Sequence, residues 1–193
     1  MFDISFWRAY APLYWRRLFV CKRGLAFVTG GIVSNLEFCI ARRKAERPAF
    51  LRVLKAIPET RSDYRPDPKA RTASELAWLL AVEEAALLNL IDTGVVEWKE
   101  SAPPERLETI VAAYELTSGE VNGRLEKLDE ERWEKKVRFL IGGGGVWEDT
   151  LSQMLWGFLF DAIHHRGQLS TYLRPMGGKV PSIYGPSGDD PGQ

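Results

Sequence analysis

Histidine and cysteine are scarce, two of each in 193 residues. Cys21 and Cys39 form no C-x-x-C pair and no disulfide framework, so a reducing cytoplasm is the expected setting. Net charge is also absent. Lys plus Arg and Asp plus Glu total 26 each, so there is no global field to hold a polyanion and no support for nucleic-acid binding. No apolar run approaches the roughly 20 residues that span a bilayer. The longest, 25–33, contains two glycines, and no membrane segment is expected. The tetraglycine run 142–145 is not followed by Gly-Lys-Ser/Thr, which argues against a phosphate-binding loop.

What is present reads as globular. Apolar residues make up 45% and charged residues 27%, in a chain long enough for one domain with a real core. Residues 1–32 differ from the rest. Asp3 is their only acid, Arg8, Arg16, Arg17, Lys22 and Arg23 make them basic, and aromatics crowd them. Three readings stand: a targeting segment, although one without a small-residue cleavage site; an amphipathic extra helix; or a non-native stretch ahead of a start at Val33. The last follows because Gly30-Gly31 can be encoded by a purine-rich ribosome-binding sequence and Val33 by a GTG start. The expected division is a leader over 1–32, a helical domain over 33–175 and an irregular Gly/Pro-rich tail over 176–193.

Four helices are expected. The first covers 34–56, with Ser34 as N-cap and Pro58 as the stop. A polar loop over 59–70 follows. The second helix begins near Thr72 or Ser74 and ends at Gly94, with an apolar stripe of Leu76, Leu79, Leu80, Leu87, Leu90 and Ile91. The third starts after Pro103-Pro104, with Glu105 and Glu108 suiting the helix dipole, and runs to about Lys127. A charged stretch over 129–136 leads to a short extended piece at 137–141 and a flexible glycine joint at 142–145. The fourth helix covers 149–173. Helices of this length imply an all-α, antiparallel four-helix bundle.

The two histidines are His164 and His165. The inward stripe of the fourth helix reads Met154, Phe158, Asp161/Ala162, His165, Leu169 and Tyr172. Asp161 and His165 are i and i+4, so they share a face, while His164 points elsewhere. Glu83 interrupts the apolar stripe of the second helix in the same manner. Buried carboxylates need a partner, and Glu83, Asp161 and His165 converge if these helices face one another. Such a set can bind a metal, form a structural carboxylate–imidazole pair, or remain a solvated site. The tryptophans of the fourth helix, such as Trp156, are expected to pack.

The segment Phe160-Asp161-Ala162-Ile163-His164-His165-Arg166-Gly167-Gln168, continuing to Pro175, resembles the last-helix motif of the DinB-like family, which is similar to the YfiT-like enzymes. Tyr64-Arg65-Pro66 and Glu75-Leu76-Ala77-Trp78 occupy the corresponding places before and inside the second helix. The resemblance implies a four-helix bundle, often a homodimer. It also implies metal-dependent transferase or hydrolase chemistry with a low-molecular-weight thiol, and the family name points to a stress response. Metal-binding relatives typically use three histidines. Here the first such position is Leu79, the second is Asp161, and only His165 remains histidine. Glu83, one turn beyond Leu79, is the candidate replacement, as ligand or general base. A divalent metal (Zn, Ni, Mn or Fe) is therefore implied, and an Asp/Glu/His set favours the harder ions, with Mg also in range. The alternative is a metal-free binding or structural module.

Overall fold

The structure is a computed structural model that describes residues 33–141 and 144–192; the expected leader lies outside the described residues. Helix α1 spans Asn35–Lys55 and α2 spans Ala73–Thr93. Each opens with a capping box, Ser34 with Glu37 and Thr72 with Glu75, in which side chain and backbone satisfy each other's free donors. Helix α2 stops at Gly94, whose φ of 78° is a left-handed cap that glycine adopts without steric cost. Strand β1 follows at Val95–Glu97, then helix α3 at Leu107–Leu125. Helix α3 lacks a side-chain cap of its own; Leu107 N–H donates instead to Glu59, 48 residues earlier.

The charged stretch expected over 129–136 contains a one-turn helix α4, Glu130–Trp133, whose Trp133 is fully buried. Strand β2, Lys136–Ile141, is the expected extended piece. A third strand was not expected. β3 covers Gly145–Thr150, so Gly145 belongs to a strand and Gly144 turns at φ 91°; Gly142 and Gly143 lie outside the described residues. This strand displaces the start of the last helix. Helix α5 spans Leu151–Leu173, capped by Thr150 rather than beginning at Asp149. The sheet order is β1-β2-β3, parallel then antiparallel, with Val96 opposite Phe139 and Phe139 opposite Trp147. Among the described residues no helix is long and apolar enough to cross a membrane.

The long helices form the expected four-helix bundle, with contacts α1·α3, α3·α2, α2·α5 and α5·α1. One apolar cluster joins the C-terminal ends of α1 and α5 to the N-terminal ends of α2 and α3 (Leu54, Leu173, Leu76, Ile110). A second joins the opposite ends and the sheet (Cys39, Leu155, Leu90, Leu125, Val137). Helices α1 and α5 therefore run one way and α2 and α3 the other. Because α2 and α3 are parallel, residues 94–106 must return along the length of α2. That helix has 21 residues and is about 31 Å long, within reach of a 13-residue extended connection. The indole N–H of Trp78 donates to Ser101 at 2.9 Å and ties the return segment down.

Between the two apolar clusters lies a polar layer. Arg43 donates to Glu84 at 2.5 Å and to Asn122 at 3.2 Å, crossing the bundle from α1 to α2 and α3. Arg166 of α5 donates to Glu46 at 2.7 Å and to the Tyr184 hydroxyl, which itself donates to Glu46 at 2.9 Å. Burial alone would raise the pKa of Glu46, but hydrogen bonds from Arg166, Tyr184 and Arg42 outweigh it and hold the carboxylate below its ordinary value.

Candidate metal centre

Glu83 lies in the polar layer on α2, while Asp161 and His165 are one turn apart on α5. Packing of α2 against α5 brings one ligand atom from each residue within 4.8 Å of the others. The expected convergence is thus present, but its burial is uneven. Glu83 is 4% exposed; the side chains of His165 and Asp161 are 17% and 54% exposed. Asp161 is not on a buried face as the stripe implied. The inward positions of α5 belong to Ala162, Arg166 and Leu169, so Asp161 and His165 line the flank that faces a cleft. Nothing local to α5 marks the charged Arg166 for the core position, because its partners Glu46 and Tyr184 lie outside the helix. His164 is exposed, as expected.

Hydrogen bonding fixes the imidazole. Nδ1 of His165 lies 2.8 Å from Oε1 of Gln168. The contact holds the ring in place, and a proton on Nδ1 would leave the Nε2 lone pair free for a cation. That Nε2 is 3.3 Å from Oδ2 of Asp161. Oε2 of Glu83 is buried and has no hydrogen-bond partner among the described residues. Three potential ligand atoms therefore meet at one point. Burial, then the neighbouring Asp161 carboxylate, then a hydrogen bond between the protonated Glu83 carboxyl and Asp161, then Glu84, raise the pKa of Glu83 to about 9, with Arg71 partly opposing.

The cluster opens into a cleft of about 450 Å³. Leu79 and Arg71 line one side, next to a second depression bordered by Trp78, Glu100 and Ser101. Much of the remaining lining is aromatic: Trp98 from the return segment, Phe139 from β2, Trp147 from β3 and Phe158 from α5. These rings touch one another at centroid distances of 5.4 to 6.5 Å. Gly157 lets Trp147 lie against α5, since a Cβ there would sit 3.1 Å from the indole. Phe158 is on the stripe read from the sequence; Trp98, Phe139 and Trp147 escape it because only the return segment and the hairpin bring them to α5, and Arg71 because it precedes the cap of α2. Trp156 packs elsewhere, beside Phe38 and Phe160.

Bundle and cluster together define a class of helical proteins with a carboxylate–imidazole site between two helices. The sequence profile of the DinB family matches residues 36–192, and the chain belongs to that family. A DinB-like protein from Bacillus cereus superposes with a TM-score of 0.65 at 19% identity, covering 77% of this chain and 97% of the other. A DinB-like protein from Bacillus subtilis gives 0.58 at 19% identity, covering 72% and 92%. Identity this low speaks to the fold alone. A mycothiol-dependent maleylpyruvate isomerase superposes at 0.47 with 16% identity over 74% of this chain and 61% of its own, too loosely to bear on function. Comparison with curated proteins finds no match.

Proposed function

We propose that this chain is a cytoplasmic metal-dependent enzyme of the transferase or hydrolase type, with Glu83, Asp161 and His165 holding one divalent cation. The observation that carries the reading is the meeting of three potential ligand atoms within 4.8 Å of one another, one of them the buried, unpartnered Oε2 of Glu83. A cation fits this donor set, and two carboxylates with one imidazole suit manganese or iron better than three histidines would. When bound, such a cation acts as a Lewis acid that lowers the pKa of a thiol or water. The protein's own groups do the rest. Gln168 orients His165, Asp161 supplies a carboxylate at the cleft mouth, and Glu83 serves as ligand or accepts the released proton. The thiol comes from outside, as a low-molecular-weight compound. Cys39, the free cysteine among the described residues, is buried, and burial pushes its pKa to about 11.

The test is elemental analysis of untagged protein. About one divalent ion per chain is expected, lost in Glu83→Gln and His165→Ala while the circular dichroism spectrum is kept. No bound metal, together with no rise in melting temperature on adding manganese, iron or zinc, would overturn the reading. A second reading, a metal-free binding module, is favoured by Leu79, an apolar group where metal-binding relatives have histidine. In that case a proton on Glu83 replaces the cation.

The chain is further proposed to be a homodimer. Phe38 of α1 and Phe160 of α5 are exposed and flank Trp156, each with its ring centroid 5.7 Å away. This apolar strip lies outside the filled core.

A further inference from the structure

The cleft beside the cluster has two chemically distinct sides. One is a continuous aromatic wall, Trp98, Phe139, Trp147 and Phe158, built by three separate segments and seated on Gly157. The other is polar and carries Arg71, which, like Trp98, borders both the cleft and the neighbouring depression. Arg71 is partnered by Glu100 at 3.1 Å, with side chains 46% and 71% exposed. An ion pair this exposed contributes little, so another carboxylate can replace Glu100. Stacking surfaces favour a flat apolar body, and a guanidinium forks onto a carboxylate. A volume of about 450 Å³ suits a small organic molecule.

We propose that the cleft takes a small arene-bearing carboxylate, its ring against Trp98 and Trp147 and its carboxylate on Arg71, so that the remaining part of the molecule faces Glu83, Asp161 and His165. This deepens the metal-dependent reading by naming the class of compound presented to the cluster. It rests on that reading only for the reaction, not for the binding.

The test uses the full chain and three probes: 3-phenylpropionate, its neutral amide 3-phenylpropanamide, and acetate. Binding is followed by calorimetry and by quenching of tryptophan fluorescence, with zinc present and after EDTA treatment. The expected result is that 3-phenylpropionate binds about tenfold tighter than the amide, and that acetate binds weakest. Arg71→Gln should erase the preference for the acid and leave amide affinity unchanged, in both metal states. Trp147→Ala should weaken both phenyl probes about fivefold. Arg71 is at the surface, so its variant is expected to fold; circular dichroism checks this for both variants. Equal affinity for acid and amide in the parent overturns the proposal. So does an acid preference that survives Arg71→Gln and vanishes with EDTA, because the carboxylate is then on the metal. If no metal binds but the Arg71-dependent preference persists after EDTA, the metal reading fails and the ligand class stands.

Discussion

Glu83 concentrates the chemistry of this protein at the scale of one side chain. Without a cation, the folded chain holds a proton on Glu83 up to about pH 9, whereas the unfolded chain releases it near 4.5. The neutral carboxyl therefore favours the fold fully below pH 4.5, and the benefit declines as pH rises toward 9. Chemical denaturation of EDTA-treated protein between pH 5 and 8 is expected to lose stability with rising pH. The contribution of one proton is about 1.4 kcal/mol per pH unit at most. Glu83→Gln should flatten the slope. Bound metal should abolish this contribution, since the cation displaces the proton; a parent slope matching that of Glu83→Gln would contradict the account. Leu79, one turn earlier, lines the same cleft. The double variant Leu79→His with Asp161→His should bind zinc far more tightly than the parent and gain melting temperature from it. Removing His165 as well should abolish that gain. Calorimetry that detects no zinc binding by the double variant would break the link between these positions and a metal-binding ancestry.

The elements explain why part of this was legible. Ser34 with Glu37, Thr72 with Glu75 and Gly94 announce helix ends through local hydrogen bonds, and the sequence carries that chemistry in a window of four residues. Asp161 and His165 were legible by i, i+4 spacing, and Glu83 by its break in an apolar stripe. Strands β1 and β3 were not, because three to six residues become a strand only through β2, a remote partner for β1. The neighbouring carboxylates Glu83 and Glu84 look alike in sequence, yet Glu84 is paired with Arg43 across the bundle while Oε2 of Glu83 is orphaned. Glu84→Ala should therefore cost about 3–5 kcal/mol in urea denaturation, because it strands a buried guanidinium. The apolar double variant Arg43→Met with Glu84→Leu should recover most of that loss. If the single variant is harmless, the pair does not organise the polar layer.

For the whole molecule, the exposed strip on α1 and α5 makes association testable. Sedimentation of the parent at micromolar concentration is expected to report a dimer, and Phe38→Glu with Phe160→Glu a monomer that keeps its helical content. A monomeric parent would remove the strip from consideration as a self-interface. The molecule also divides its labour. The acid–imidazole cluster is mounted on two bundle helices, whereas much of the cleft's aromatic lining hangs from the return segment and the β2–β3 hairpin. Changes in the hairpin can thus alter what enters the cleft while leaving the acid–imidazole cluster and its supporting layer intact. The hairpin is in effect an interchangeable jaw on a fixed vice, and grafting residues 136–150 from a relative would exchange the proposed ligand preference without rebuilding the acid–imidazole cluster.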